Sequence, residues 1–158
     1  MFKWQFSETV STNATSDQIW ALWEDAPNWP KWDSEIEWVK LDGSFTQGTR
    51  GSMKPSQGPK VAFELSEVTP GKSFSDTAQL PLTKMVFSHE YLPSESQGSA
   101  QIRHTVTMTG LLAPLFGRVI GSQIKQHLRE AIENLSAQAI EVKASVHRSE
   151  HQTTPFET

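Results

Sequence analysis

The sequence predicts an α+β fold: a seven-stranded, curved antiparallel sheet wrapped around a long C-terminal helix, with a short helical pair between strands 1 and 2. Two observations carry this. An alternating first segment and a brief helical stretch are followed by six β segments, separated only by turn-length clusters that suit antiparallel neighbours and leave no room for crossover helices. The last of them leads into a segment with apolar residues every three or four positions, long enough to cover one face of a sheet.

In "MFKWQFSETV", Phe2, Trp4, Phe6 and Val10 alternate with Lys3, Gln5, Ser7 and Thr9, the pattern of a half-buried strand. In "TSDQIWALWEDAP", Thr15 stands three residues before Gln18, the spacing of a reciprocal helix cap, and Pro27 ends the helix. Between Ile36 and Thr109, "DGSFTQG", "PSQGP", "TPGK", "PLTK" and "PSESQG" divide six strands. Pro114 suits a first helical turn and opens one long helix in which Phe116, Ile120, Ile124, Leu128, Ala131, Leu135 and Val142 recur. Gly117 and Gly121, early in that helix, would thin or loosen it near a ligand portal. From about Ala144 the period is lost, which divides the chain into a single domain, 1–143, and a flexible tail, 144–158. His147 and His151 of "HRSEH" fall in that tail and read as solvated, not as a zinc pair. His127, beside Leu128, reads as boundary packing.

With 158 residues the chain can bury a real core as one domain. A net charge of −4 without a run of Lys or Arg speaks against nucleic acid and anionic membrane as main partners. The absence of cysteine excludes disulfides, a thiolate nucleophile and Cys-based metal sites. Met1 leads directly into strand-like sequence, not a signal peptide, and the most apolar stretch, Leu111 to Ile120, is short and broken by Pro114, Gly117 and Arg118. The expectation is a cytoplasmic protein, monomer or homodimer, without stable membrane insertion.

Five of the six tryptophans lie between Trp20 and Trp38. Ile19-Trp20, Asp25, Trp29-Pro30-Lys31-Trp32-Asp33 and Ile36 resemble the "vW…D…WP.W…i" signature of the polyketide cyclase/dehydrase and lipid-transport superfamily, and "EVTPGKSF" is similar to its strand, Pro-Gly turn and strand. The resemblance spans roughly residues 2–142. It implies a START-like helix-grip fold, in a family of lipid carriers, hormone receptors and aromatase/cyclases that generally works without a metal. The tryptophans read first as packing between the helical pair and the sheet edge, with Trp20 or Trp38 as possible ligand contacts.

Candidate site residues come from strand register. Aligning Tyr91 with Ile102 sets His89 opposite His104, Phe87 opposite Val106 and Met85 opposite Met108, all on one face. Placing Leu80 opposite Met85 around "PLTK" brings Ala78 to Phe87 and Asp76 to His89, with Leu65 beyond Asp76. A polar row Asp76, His89, His104 then crosses an apolar face. Three readings stand open: a buried polar network, the polar end of a ligand cavity, or a facial metal set.

The expected function is binding of one small, mainly hydrophobic molecule between sheet and helix, without cofactor or metal. Asp76, His89, His104 and Tyr91 would fix its polar end. Met53, Phe63, Leu65, Phe74, Ala78, Met85, Phe87, Val106 and Met108, with Ile120, Ile124 and Leu128 from the helix, would form the walls. One alternative is a cyclase or dehydratase, with His89, poised by Asp76, as base and His104 or Tyr91 stabilising the enolate. Another is an interaction module resembling a chaperone activator, which requires an exposed apolar patch.

Overall fold

The computed structural model describes residues 2–96 and 98–150, with side-chain surroundings through Glu141. Its strands are β1 (Lys3–Thr12), β2 (Ile36–Leu41), β3 (Arg50–Pro55), β4 (Val61–Thr69), β5 (Ser73–Leu80), β6 (Thr83–Leu92) and β7 (Ala100–Gly110). Consecutive strands from β2 to β7 pair antiparallel through short turns, and β1 closes the far edge against β7, giving the order β1-β7-β6-β5-β4-β3-β2. Register shifts between Ile36 and Trp38 on β2 and between Leu65 and Glu67 on β4 add local twist where the sheet must curl.

Between β1 and β2 lie α1 (Ser16–Trp23) and a short 3₁₀ helix (Ala26–Lys31). The expected cap is present: the Thr15 hydroxyl accepts from the Gln18 amide and the Gln18 side chain accepts from the Thr15 amide. At the other end of α1 the Trp29 indole donates to the Trp23 carbonyl at 2.8 Å, satisfying one of the acceptors a helix end leaves open. Ile19 and Trp23, one turn apart, are fully buried against the inner face of the sheet.

The expected single C-terminal helix is two helices, α2 (Ala113–Val119) and α3 (Gly121–Glu150). Backbone bonds from Ile120 to Phe116 and from Ile124 to Ile120 bridge the break. Trp4 packs against it. A Cβ at Gly117 would lie 2.5 Å from Trp4 Cδ1, and one at Gly121 2.6 Å from Trp4 Cζ2. The two glycines are the seat of an indole from the opposite end of the chain, which their sequence spacing alone does not reveal. Gly121→Ala is therefore expected to lose about 1–3 kcal/mol from overpacking, more than the roughly 1 kcal/mol that Ala gains over Gly in a helix. In a Trp4→Leu background the same change should be neutral or stabilising, as read from urea midpoints.

Leu128, Ala131, Ile132, Leu135 and Ala139 form the buried stripe of α3. Polar ties hold this helix to the helical pair: Gln138 donates to the Lys31 carbonyl at 2.6 Å and Asn134 to the Trp32 carbonyl at 3.5 Å. A buried hydrogen bond of 2.6 Å joins the hydroxyls of Thr12 and Ser136, and Arg129 pairs with Glu8 of β1. Residues 151–158 of the expected tail, including His151, lie outside the described residues, and so do the side-chain surroundings of 142–150.

Candidate functional site

His89 of β6 and His104 of β7 are directly opposed, as the hairpin register requires, with ring centres 4.5 Å apart and nearly perpendicular planes. The remaining pairs of that hairpin, Tyr91 with Ile102, Phe87 with Val106 and Met85 with Met108, also form as expected. Both imidazoles are buried. Burial holds His89 down to about 3 despite its bond to a carbonyl. It holds His104 well below the ordinary histidine value too, with the neighbouring His89 adding to the effect. Both rings are thus neutral near pH 7. The Phe74 carbonyl lies 3.3 Å from His89 Nδ1, so Nδ1–H donates there and Nε2 keeps its lone pair.

Asp76 does not face His89. The β5–β6 turn closes with two residues, Pro81 and Leu82, so Leu80 pairs with Thr83, Ala78 with Met85, Asp76 with Phe87 and Phe74 with His89. The strand is displaced by two residues from the arrangement that "PLTK" suggests. Pro81 supplies the fixed φ of a tight turn and Leu82 takes a left-handed φ of 51°, a conformation no leucine advertises in a sequence. The predicted neighbour of Asp76 on β4, Leu65, is observed. Two parallel rows result: Leu65, Asp76, Phe87, Val106, Phe6, and beside it Phe74, His89, His104, Glu8.

Asp76 is consequently a buried acid in apolar surroundings, and burial alone pushes it up to about 7. Where the predicted row placed an aspartate, an aromatic ring stands: Phe74 stacks on His89 at 4.0 Å between centres and 6° between planes. At the other end Glu8 is turned to Arg129, 3.3 Å away. Among the described residues no three of His, Asp and Glu converge as a metal set. Tyr91 is half-buried, and its hydroxyl donates to the Ala14 carbonyl at 2.8 Å, tying the β6–β7 hairpin to the segment after β1.

The residues expected to form the walls do face the interior. Phe63, Leu65, Phe74, Ala78 and Leu128 are buried in the main core, with Met53, Met85, Phe87, Tyr91 and Ile124 packed against it. Val106 and Met108 form a smaller cluster with Ile120. Sequence reasoning missed what fills the space among them. Trp23 meets Phe74 edge-on at 5.6 Å and approaches His104 at 6.0 Å; Trp29 stacks on Phe74 at 5.6 Å; Trp32 meets His104 edge-on at 6.1 Å. The tryptophans pack onto the concave face and reach the histidine pair, well inside the sheet edge. Trp20, by contrast, donates to Glu24 on its own helix, and Trp38 is exposed. The signal for Trp23 was present in its one-turn spacing from Ile19.

Three polar atoms at this junction are buried without a hydrogen-bond partner among the described residues: the indole nitrogens of Trp23 and Trp32, and Nε2 of His104. Such atoms are uncommon in a folded core and cost about 1–3 kcal/mol each. Here two indoles carrying them lie about 6 Å from the imidazole carrying the third.

His127 and Asp33 form a separate polar group at the edge of α3. His127 Nε2 lies 3.5 Å from Glu35, and the Glu35 amide donates to Asp33, whose carboxyl burial pushes up to about 6.

Residues 3–139 match the family described as polyketide cyclase / dehydrase and lipid transport. The chain belongs to that family. Its helix-grip fold is shared with norcoclaurine synthase from Thalictrum flavum, at 14% identity and a TM-score of 0.67 over 89% of this chain and 95% of that one. A START superfamily protein from Mycobacterium smegmatis is similar at 16% identity and a TM-score of 0.65, covering 85% of this chain and 97% of that one. The di-domain ARO/CYC StfQ of the steffimycin biosynthetic pathway gives 14% identity and a TM-score of 0.69, over 90% of this chain and 52% of that one. Comparison with curated proteins gives no significant match. At these identities the structural likeness speaks for the fold alone.

Proposed function

We propose that this family member binds one small, mainly hydrophobic molecule between the inner face of the sheet and α3, with its polar atom held at the junction of His104, Trp23 and Trp32. The observation that carries the reading is that three of the four unpartnered buried side-chain polar atoms among the described residues sit at one junction of aromatic rings, Thr83 Oγ1 being the fourth. A core selected for stability alone would gain by replacing them with carbon. A ligand oxygen accepting from either indole N–H would satisfy that donor in buried, apolar surroundings, where a hydrogen bond is stronger than in water. His89 Nε2 offers an acceptor beside that point.

The acid–base alternative gains less support. It needs Asp76 to orient His89, and the register places Phe74 there. A histidine held near 3 is also a weak base for removing a proton at neutral pH.

Native mass spectrometry of freshly purified protein, combined with ring-proton NMR of the two histidines, tests the proposal. The expected result is a co-purified small molecule, or saturable binding of a fatty acid or aromatic ketone, that shifts the His104 resonances and weakens about tenfold in Trp32→Phe, which removes one hydrogen-bond donor. An empty protein whose imidazole resonances ignore both probe classes would sink it.

A further inference from the structure

The net charge of −4 conceals a strong asymmetry. Residues 1–7, 77–89 and 96–129 contain none of the protein's 18 carboxylates. The fold brings parts of all three segments to one end. The Gly110 amide donates to the Phe2 carbonyl and the Leu111 amide to the Leu82 carbonyl, tying the start of β1, the β5–β6 turn and the entry to α2 together. Register places Lys84, Thr109 and Lys3 side by side across three strands at this end. Arg118 and Lys125 join Lys3, Phe2 and Trp4 around a groove of about 510 Å³ between β1 and the junction of α2 and α3.

The same end carries most of the large apolar side chains exposed among the described residues. Leu82, Leu111 and Val119 are each more than 60% exposed, and Phe2 and Leu115 more than half. Leu111, Leu115 and Val119 follow one another at four-residue steps, so α2 and the residue leading into it present an apolar stripe outward, while Ala113 and Gly117 face the core. An apolar stripe of this kind beside Lys and Arg, with no acid among them, is the chemistry of a surface that lies in the headgroup region of a bilayer. Among the described residues no helix is long and apolar enough to cross a membrane, which makes the contact peripheral.

We propose that this end, formed by Phe2, Leu82, Leu111, Leu115 and Val119 and ringed by Lys3, Lys84, Arg118 and Lys125, docks reversibly on anionic phospholipid bilayers. Charge decides the occupant. A second copy of the chain would bring four further cations against these four, whereas an anionic leaflet attracts each of them and accepts the leucines among its acyl chains. The inference stands independently of the internal ligand.

The test is co-sedimentation of the full chain with phosphatidylcholine vesicles and with the same vesicles enriched in phosphatidylglycerol. Binding is expected only to the anionic vesicles, weakening at least about tenfold from low to physiological salt. Leu115→Ser with Val119→Ser should lower it by about tenfold or more, and Lys84→Glu with Arg118→Glu by at least as much. All four positions are on the surface, so both double variants should keep the wild-type circular dichroism spectrum and melting point. Absence of binding, equal binding to neutral and anionic vesicles, or a dimer in sedimentation velocity that Leu115→Ser dissolves would each overturn the proposal.

Discussion

Asp76→Asn is expected to stabilise the protein progressively as the pH rises from about 4 to about 8, by a total of about 4 kcal/mol relative to the wild type. The cause is the raised acid. In the fold its proton leaves near 7, in the unfolded chain near its ordinary value of 3.8. Below 3.8 both states hold the proton and asparagine, nearly the same shape as the neutral acid, changes little. Between the two values the unfolded chain has released a proton that the folded chain retains. The contribution of Asp76 is therefore fully present at low pH and is lost as pH rises through the folded value. Above 7 the fold carries a carboxylate among Leu65 and Phe87, its cross-strand neighbours. Urea unfolding of both proteins across that range measures the effect, and a constant difference between them would show that Asp76 ionises in contact with water.

His89 works in the opposite direction. Its folded value is depressed to about 3 from the ordinary 6.5, so its contribution is present above 6.5 and is lost as pH falls. His104 has the same sign. In the wild type Asp76 offsets one of the two histidines between about 4 and 6.5, which halves the acid-side loss. The variant lacks the acid and so exposes both histidines: its stability should fall below pH 6.5 about twice as steeply as that of the wild type.

The histidine pair was legible in the sequence because apolar pairs on both sides of it, Phe87 with Val106 and Tyr91 with Ile102, fix a single register for β6 and β7. The partner of His89 on β5 was not. Moving a strand by one residue turns every side chain over, but a displacement of two keeps all inward residues inward, so the apolar pattern cannot separate a four-residue "PLTK" loop from a two-residue turn. The choice rests on one left-handed leucine. The helical cap at Thr15 is local and was readable; the role of Gly117 and Gly121 as the seat of Trp4, more than a hundred residues away, was not. Glu8 gave a signal that passed unused, since an acid at an inward position between Phe6 and Val10 demands a cation, which Arg129 supplies.

Trp23→Ala should be the most damaging single truncation at the site, costing about 3–5 kcal/mol. The side chain is fully buried and meets Trp20, Phe74, His89 and His104 with ring centres between 5.6 and 6.2 Å. Its removal would leave a cavity walled by rings that are themselves held by strands and cannot collapse into it. It would also loosen the Trp29 indole, whose acceptor is the Trp23 carbonyl. Trp23→Phe separates packing from polarity. Phenylalanine retains most of the apolar contact and removes a nitrogen that has no partner in the fold, so its cost in stability should be well under half that of alanine, as judged by urea unfolding. If the indole N–H serves a ligand, Trp23→Phe will nevertheless lose about tenfold in binding of the probe that shifts His104. A phenylalanine variant as unstable as the alanine one would mean that the N–H is satisfied within the folded protein and contributes to the core, leaving His104 without its proposed companion.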